Sequence, residues 1–441
     1  MLRLALPVAA VQLGLMAMGV IDTIMVGHVS PAALASAALG NLYFFIAGIF
    51  GQGTLMALDP VISQAVGARE DEAISRALQR GLVLSLALTV VTCATFVPVT
   101  WVLTLLRQPP EVVPDAARYV RIAIPGVFPF YAFVVFRQSL QAMGRVAPVM
   151  WTVLVANLLN VCLNWVFIYG NLGSPALGVG GSSLATSISR WVMPLLLLAI
   201  SGREIYARLT PWRAETLASA PLMRMLRLGL PIGVQYLLEY GAFAAAALLM
   251  GVLGTTQMAA HQIAINLASF TFMVPLGVST ATAVLVGQAI GSGDEARARR
   301  AAVAGIFTGT SFMCVSALTF LLFPEALARV YTGDATVIGL AAILIPIAGI
   351  FQVFDGIQAV AAGVLRGIGD THAPALINVV GFWLIGLPVS WLLAFHYAGG
   401  AVGLWRGIVV GLAAVALILL ARVRVRLGRE MRRVVIEDAV T

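Results

Sequence analysis

Apolar runs long enough to cross a bilayer alternate with short polar connections from one end of the chain to the other. A helix needs about 20 apolar residues to span the hydrocarbon core. On that measure the pattern predicts twelve helices, near 5–27, 34–63, 81–106, 119–143, 147–169, 179–200, 226–252, 258–288, 301–323, 337–364, 374–396 and 400–421. The connections after the second, sixth and eighth helices, and the tail, are rich in arginine. They carry Arg69, Arg76 and Arg80; Arg203, Arg208 and Arg213; Arg297, Arg299 and Arg300; and Arg422 through Arg433. Those after the first, fifth, seventh and eleventh helices have no arginine. Basic residues stay on the cytoplasmic side of a membrane protein, so both termini are expected in the cytoplasm.

The pattern also repeats. Leu4-Ala-Leu-Pro7 matches Leu228-Gly-Leu-Pro231, and Gln64-Ala-Val-Gly67 matches Gln288-Ala-Ile-Gly291, in each case 224 positions on, as 231 is from 7. Pro148 with Pro374, and Trp165 with Trp391, continue the match at a spacing of 226, as 391 is from 165. The expected fold is therefore all-α and integral to the membrane, in two six-helix bundles related by a pseudo-two-fold axis along the membrane normal. The lobes are 1–200 and 225–422, with a cytoplasmic linker at 201–224 and a cytoplasmic tail at 423–441. A cavity between lobes of this kind is where a transporter binds its substrate and coupling ion.

Composition agrees: 441 residues are 60% hydrophobic and 10% charged, with a mean hydropathy of +0.97. A soluble core of this size could not hide so much apolar sequence. The net charge of +8 is all arginine against acid, with no lysine. Its place in the connections reads as membrane topology, and no nucleic-acid partner is expected. Cys93, Cys162 and Cys314 lie singly in apolar runs, and His28, His261, His372 and His396 are scattered, so neither type forms a metal constellation. The N-terminus imitates a signal peptide, with Arg3 and an Ala35-Ser36-Ala37 site. Its apolar run is too long, contains Asp22 and recurs in the second half, so the first helix is expected to stay. No Gly-rich phosphate loop and no soluble domain of ATPase length is present, and no nucleophile–base pairing stands out. The chain therefore reads as a transporter without a cofactor rather than an enzyme, driven by an ion gradient or by another subunit.

Three carboxylates stand inside apolar spans: Asp22 in the first helix, Glu239 in the seventh and Asp355 in the tenth. A charge at the bilayer centre costs roughly 2.5–3.5 kcal/mol on insertion scales, so such groups face a protein interior or a watery cavity and act there. These three are the candidate cation-coupling residues, and Glu239 with Asp355 could hold a monovalent cation such as Na⁺ or share a proton. Around them, Asn157, Asn160 and Asn164 share one face of the fifth helix, Tyr236 and Tyr240 flank Glu239, and Gln352 and Gln358 flank Asp355. The asparagines, the two tyrosines and Gln352 are candidate substrate-cavity residues, the aromatic rings suiting organic cations. The asparagines would serve equally as interhelical glue. Asp59, before Pro60, is expected at the interface, and Arg190, deep in the sixth helix, is a candidate ion-pair partner.

Several segments together resemble the multidrug and toxic compound extrusion (MATE) transporters. They are Ile21-Asp22-Thr23-Ile-Met-Val-Gly27, Met56-Ala-Leu-Asp59-Pro60 to Ser63-Gln64-Ala-Val-Gly67, Leu-Leu-Glu239-Tyr240, Ala260-His261-Gln262-Ile-Ala-Ile-Asn266 and Leu365-Arg366-Gly367-Ile-Gly369-Asp370. Glu239 and Asp355 make the resemblance closer to the NorM type than to the DinF type, which carries an Asp in the fifth helix where this chain has asparagines. The resemblance implies an antiporter, multi-pass in a bacterial inner membrane, that exports cationic amphipathic compounds in exchange for Na⁺ or H⁺ by alternating access. Glu239 and Asp355 would be its second-half cation acids, Asp22 its first-half acid, and Asn160 and Asn164 linked to the latter. Organic cations and the lipid bilayer are the expected partners, and a monomer is expected. The rival readings are a lipid-linked oligosaccharide flippase of the same superfamily and an intramembrane isoprenoid-lipid transferase. The first would want a basic cavity for pyrophosphate, the second clustered acids for a divalent metal.

Overall fold

The computed structural model describes residues 1–436, the side chain of Arg203 excepted. Among these residues the structure is helical, and twelve helices are long and apolar enough to cross a membrane. They are α1 (Leu2–Gly27), α2 (Pro31–Ala68), α3 (Asp71–Phe96), α4 (Val113–Ala142), α5 (Ala147–Tyr169), α6 (Val179–Leu209), α7 (Ser219–Leu253), α8 (Thr255–Gly291), α9 (Glu295–Leu322), α10 (Ala335–Ile368), α11 (His372–His396) and α12 (Gly400–Leu427). The chain is a multi-pass membrane protein.

Differences from the expected spans lie at helix ends, where polar residues continue a helix beyond its apolar stretch. The third starts at Asp71 rather than near 81, because Asp71 and Glu72 in its first turn complement the positive end of the helix dipole. It stops at Phe96, and Pro98, which lacks an N–H, separates it from a short helix at Val99–Leu105. The twelfth runs past 421 to Leu427, with Arg424 and Arg426 in its last turn facing the negative end. Of the expected tail, positions 437–441 lie outside the described residues.

The chain forms two compact units: Val11–Gly233 with Ile436, and Val234–Val435 with Met1–Ala10. The divisions fall within α1 and α7, close to Pro7 and Pro231. Small residues let those helix starts pack closely. In the first unit a Cβ on Gly53 would meet Gly233 Cα at 2.8 Å, and in the second a Cβ on Gly277 would meet Ala9 Cα at 2.7 Å. These are the same pair of positions displaced by the repeat, and close backbone approach of this kind is how helices associate where lipid removes the hydrophobic drive.

The first unit centres on Phe44, Phe96, Phe130 and Tyr131, with Tyr131 and Thr92 hydroxyls 2.7 Å apart. The second centres on Trp405, Phe351 and His261, whose rings pack 5.6 to 5.7 Å apart. Trp101, Trp151, Trp165, Trp191 and Trp391 are exposed on the surface of the helices.

Asp59, expected at the interface, is enclosed by protein. It is wholly buried and accepts a 2.8 Å hydrogen bond from Gln138 Nε2. Asp59 lies in a second helical segment of α2, Leu58–Ala68, which follows a break at Met56–Ala57 and packs on α3 and α4.

The linker is docked rather than free. Buried Gln79 of α3 donates to the carbonyls of Arg208, Leu209 and Pro211 at 3.1 to 3.2 Å and accepts from Arg213 N and Thr216 Oγ1 at 3.2 and 2.7 Å. Gln79→Ala leaves these backbone groups without their partner, so the segment at 210–218 is expected to become cleavable. Limited proteolysis of the purified variant should cut there well before the parent chain, and equal resistance would refute the strap.

Candidate ion-coupling sites

In the first unit α1 brings Asp22 against α5 and α6. Asn164 Nδ2 donates to Asp22 Oδ1 at 2.6 Å and Thr186 Oγ1 donates to Oδ2 at 2.7 Å. Asn160 Oδ1 accepts from Asn164 Nδ2 at 3.1 Å, so the amide pair is fixed as it supports the carboxylate. Beside Asp22 lies a cavity of about 20 Å³, lined also by Gly19, Asn41, Tyr119 and Ser182, with room for one water. Asn157 is elsewhere: it donates to Gly14 O and Val153 O at 3.0 and 2.8 Å and acts as glue between α5 and α1.

Arg190 sits one turn beyond Thr186 on α6. Its Cζ lies 3.7 Å above the Phe44 ring, an arrangement that stabilises a desolvated guanidinium by about 2 kcal/mol. It forms no ion pair or hydrogen bond among the described residues, and it lies against the Phe44 and Phe130 rings.

In the second unit Glu239 of α7 is held by two amides. Gln358 Nε2 of α10 donates to Oε1 at 3.2 Å and Asn378 Nδ2 of α11 donates to Oε2 at 3.1 Å. Asp355 is buried one turn before Gln358 on the same helix. The amides leave oxygens over: Gln358 Oε1, Asn378 Oδ1 and Asp355 Oδ1 are all buried without a hydrogen-bond partner among the described residues. Orphaned buried oxygens beside two carboxylates form a donor set suited to a hard monovalent cation, and neither acid has an arginine ion pair among the described residues. Glu239, Asp355, Gln358 and Asn378 are the residues that would hold a monovalent cation if one binds here.

Gln352 is engaged away from the acids, accepting from Thr271 Oγ1 at 2.6 Å and donating to Ser316 Oγ at 3.0 Å. Tyr236 and Tyr240 lie partly buried on α7, on either side of Glu239 in sequence.

Thr186 and Asn378 escaped the sequence reading. Asn378 is the one amide in an otherwise apolar span, which is a usable signal. It precedes a π-helical stretch, Val379–Gly386, from which Trp383 Nε1 donates to Leu238 O at 3.0 Å, fixing α11 against α7 beside Glu239. Such π-helical turns frequently mark functional sites. Thr186 had no comparable signal among the many serines and threonines of α6.

Comparison with known proteins places these sites in a family. The MatE family model matches residues 7–166 and 231–392. A protein of Mesorhizobium japonicum described as a probable multidrug resistance protein NorM is 38% identical over 435 residues, covering 96% of this chain and 92% of its own. The multidrug resistance protein MdtK of Pectobacterium atrosepticum is 34% identical, with 96% and 94% covered. The crystal structure of the eukaryotic MATE transporter AtDTX14 superposes with a TM-score of 0.88 at 21% identity, over 96% of this chain and 94% of that one, a likeness of fold.

The hydrogen bond between Thr186 and Asp22 is measurable in isolation. A double-mutant cycle of Thr186→Val and Asp22→Asn, read by thermal unfolding in detergent, should give a coupling of about 0.6 kcal/mol and at most about 1.7 kcal/mol. Additive effects would mean that the two side chains do not interact.

Proposed function

The chain belongs to the MATE family, as a secondary transporter and not an enzyme, and we propose that it exports cationic amphipathic compounds in exchange for Na⁺ or H⁺ by alternating access. The observation that carries this reading is the second-unit site, where Glu239 and Asp355 lie among orphaned amide oxygens inside membrane-spanning helices. Acids retained there without basic partners attract a cation, and the free energy of its entry is available to move something else.

Exchange requires that ion binding and substrate binding oppose one another. A cation at Glu239 and Asp355 removes the negative charge that attracts an organic cation, so ion entry favours release. The names of the relatives, NorM and MdtK multidrug resistance proteins, support a substrate class of several drugs rather than one. An anionic lipid-linked substrate is disfavoured, because these acids would repel its pyrophosphate. The arginine-bearing connections support cytoplasmic termini in a bacterial inner membrane. A single chain contains both acid sites, consistent with a working monomer.

Purified protein in vesicles should release a fluorescent cationic dye when a Na⁺ gradient or a pH gradient is imposed in separate runs, and Glu239→Gln should slow that release at least about tenfold. Full activity of this variant would remove Glu239 from the coupling role. Failure of the parent protein under both gradients would remove the exporter reading itself.

A further inference from the structure

Three membrane spans of the first unit end at one place. The apolar stretch of α4 stops at Ala142, α5 starts at Ala147, and the apolar part of α6 stops at Gly202. Beside these ends lies a cavity of about 480 Å³, whose walls include Gly144, Arg145, Pro148, Ile200, Ser201 and Glu204. A cavity bounded by span ends and by the connection beyond them stands at the depth of lipid headgroups. Ile200, and Trp151 three residues beyond Pro148 on the same face of α5, are exposed apolar surface along which acyl chains can lie.

The polar groups of this cavity carry both signs. Arg145 Nη2 lies 3.1 Å from Glu204 Oε1, with the side chains 63% and 41% exposed. An ion pair so exposed contributes little to stability, so each end is free to turn to another partner. Ser201 is buried, and its Oγ has no hydrogen-bond partner among the described residues. A buried hydroxyl without a partner is the exception in a folded protein and marks room for an acceptor.

The corresponding place in the second unit is closed. Gly369 precedes Pro374 there as Gly144 precedes Pro148 in the first, and both glycines have positive φ, 88° and 77°. A Cβ on Gly369 would run into Val434 of the tail, whereas one on Gly144 would meet nothing within 4 Å. Next to Gly369, Asp370 is held by Arg422 and Arg426 at 2.8 and 3.2 Å. The first unit thus leaves open a place that the second fills with its own chain.

We propose that this cavity binds the headgroup of a zwitterionic aminophospholipid, with the phosphate of phosphoethanolamine on Arg145 and Ser201 and its ammonium on Glu204. Pockets with basic groups between helices at the membrane surface are where headgroups bind. The guanidinium donates to phosphate oxygens in a fork, and the ammonium has three N–H donors for the carboxylate. A headgroup that is only anionic would set its phosphate beside Glu204 and be repelled. Choline keeps the positive charge but has no N–H to donate. The cavity is at the opposite end of α5 from Asn164 and Asp22, so the proposal goes beyond the exporter reading and uses only the membrane-spanning fold.

The test uses the delipidated full chain in detergent, read by thermal unfolding. Dioleoyl phosphatidylethanolamine should raise Tm by more than about 2 °C, and phosphatidylcholine or phosphatidylglycerol with the same chains by less than about half as much, since a ligand that binds only the folded state stabilises it. Arg145→Gln should raise the phosphatidylethanolamine concentration of half effect at least about fivefold. Glu204→Gln should erase the preference over phosphatidylglycerol. Both side chains are exposed, so neither change threatens the fold. An equal rise with all three lipids would overturn the proposal, as would an unshifted half-effect concentration in Arg145→Gln or a preference retained in Glu204→Gln. Soluble glycerophosphoethanolamine at the same concentrations should give no rise. A rise equal to that of the lipid would overturn the lipid as the ligand.

Discussion

A carboxylate inside a membrane-spanning helix must find its partners within the protein, and this one constraint organises both units. Water is not there to solvate the charge, and lipid offers nothing. The chain meets the constraint with neutral amides and hydroxyls. Asn164 and Thr186 serve Asp22, and Gln358 and Asn378 serve Glu239. Neutral donors solvate an acid without fixing its charge. An arginine in direct contact would hold the carboxylate permanently ionised and oppose a second cation, whereas an amide supports the charge and, through its oxygen, can also face a bound ion. The surrounding helices follow from this need: α5 and α6 must meet α1 at Asp22, and α10 and α11 must meet α7 at Glu239.

How much of this was legible follows from how local each signal is. Twelve spans were readable because an apolar run of membrane length is a property of consecutive residues. The acids were readable because a charge in such a run stands out against its neighbours. Partners were only half readable. Asn160 and Asn164 declared themselves by helical spacing, but Asn157 shares that face and serves α1 instead, because a face spans more than one neighbour. Gln352 shows the same limit, lying one turn from Asp355 but bonded toward α8 and α9. The burial of Asp59 against Gln138 was not readable, because an apolar pattern does not say which polar group of another helix a residue meets. Thr186 is one hydroxyl among many, so only the fold could select it.

The repeat constrains the scaffold and leaves the chemistry free. Gly53 against Gly233 and Gly277 against Ala9 are equivalent contacts, each too tight for a larger residue without displacement of backbone. Any change at such a position is felt in the packing, so both copies keep small side chains. The acids obey no such rule. By the spacing of 224, Asp22 corresponds to Ala246 and Glu239 to Leu15. Ala246 is buried in the core of the second unit, where a carboxylate would have no amide to meet it. A carboxylate is tolerated only where its donors have been assembled, and the two units assembled theirs on different helices. One unit thus carries a single acid met by Asn164 and Thr186, and the other a pair of acids among unpartnered oxygens. The duplicated fold thus holds two unlike sets of polar groups within one chain.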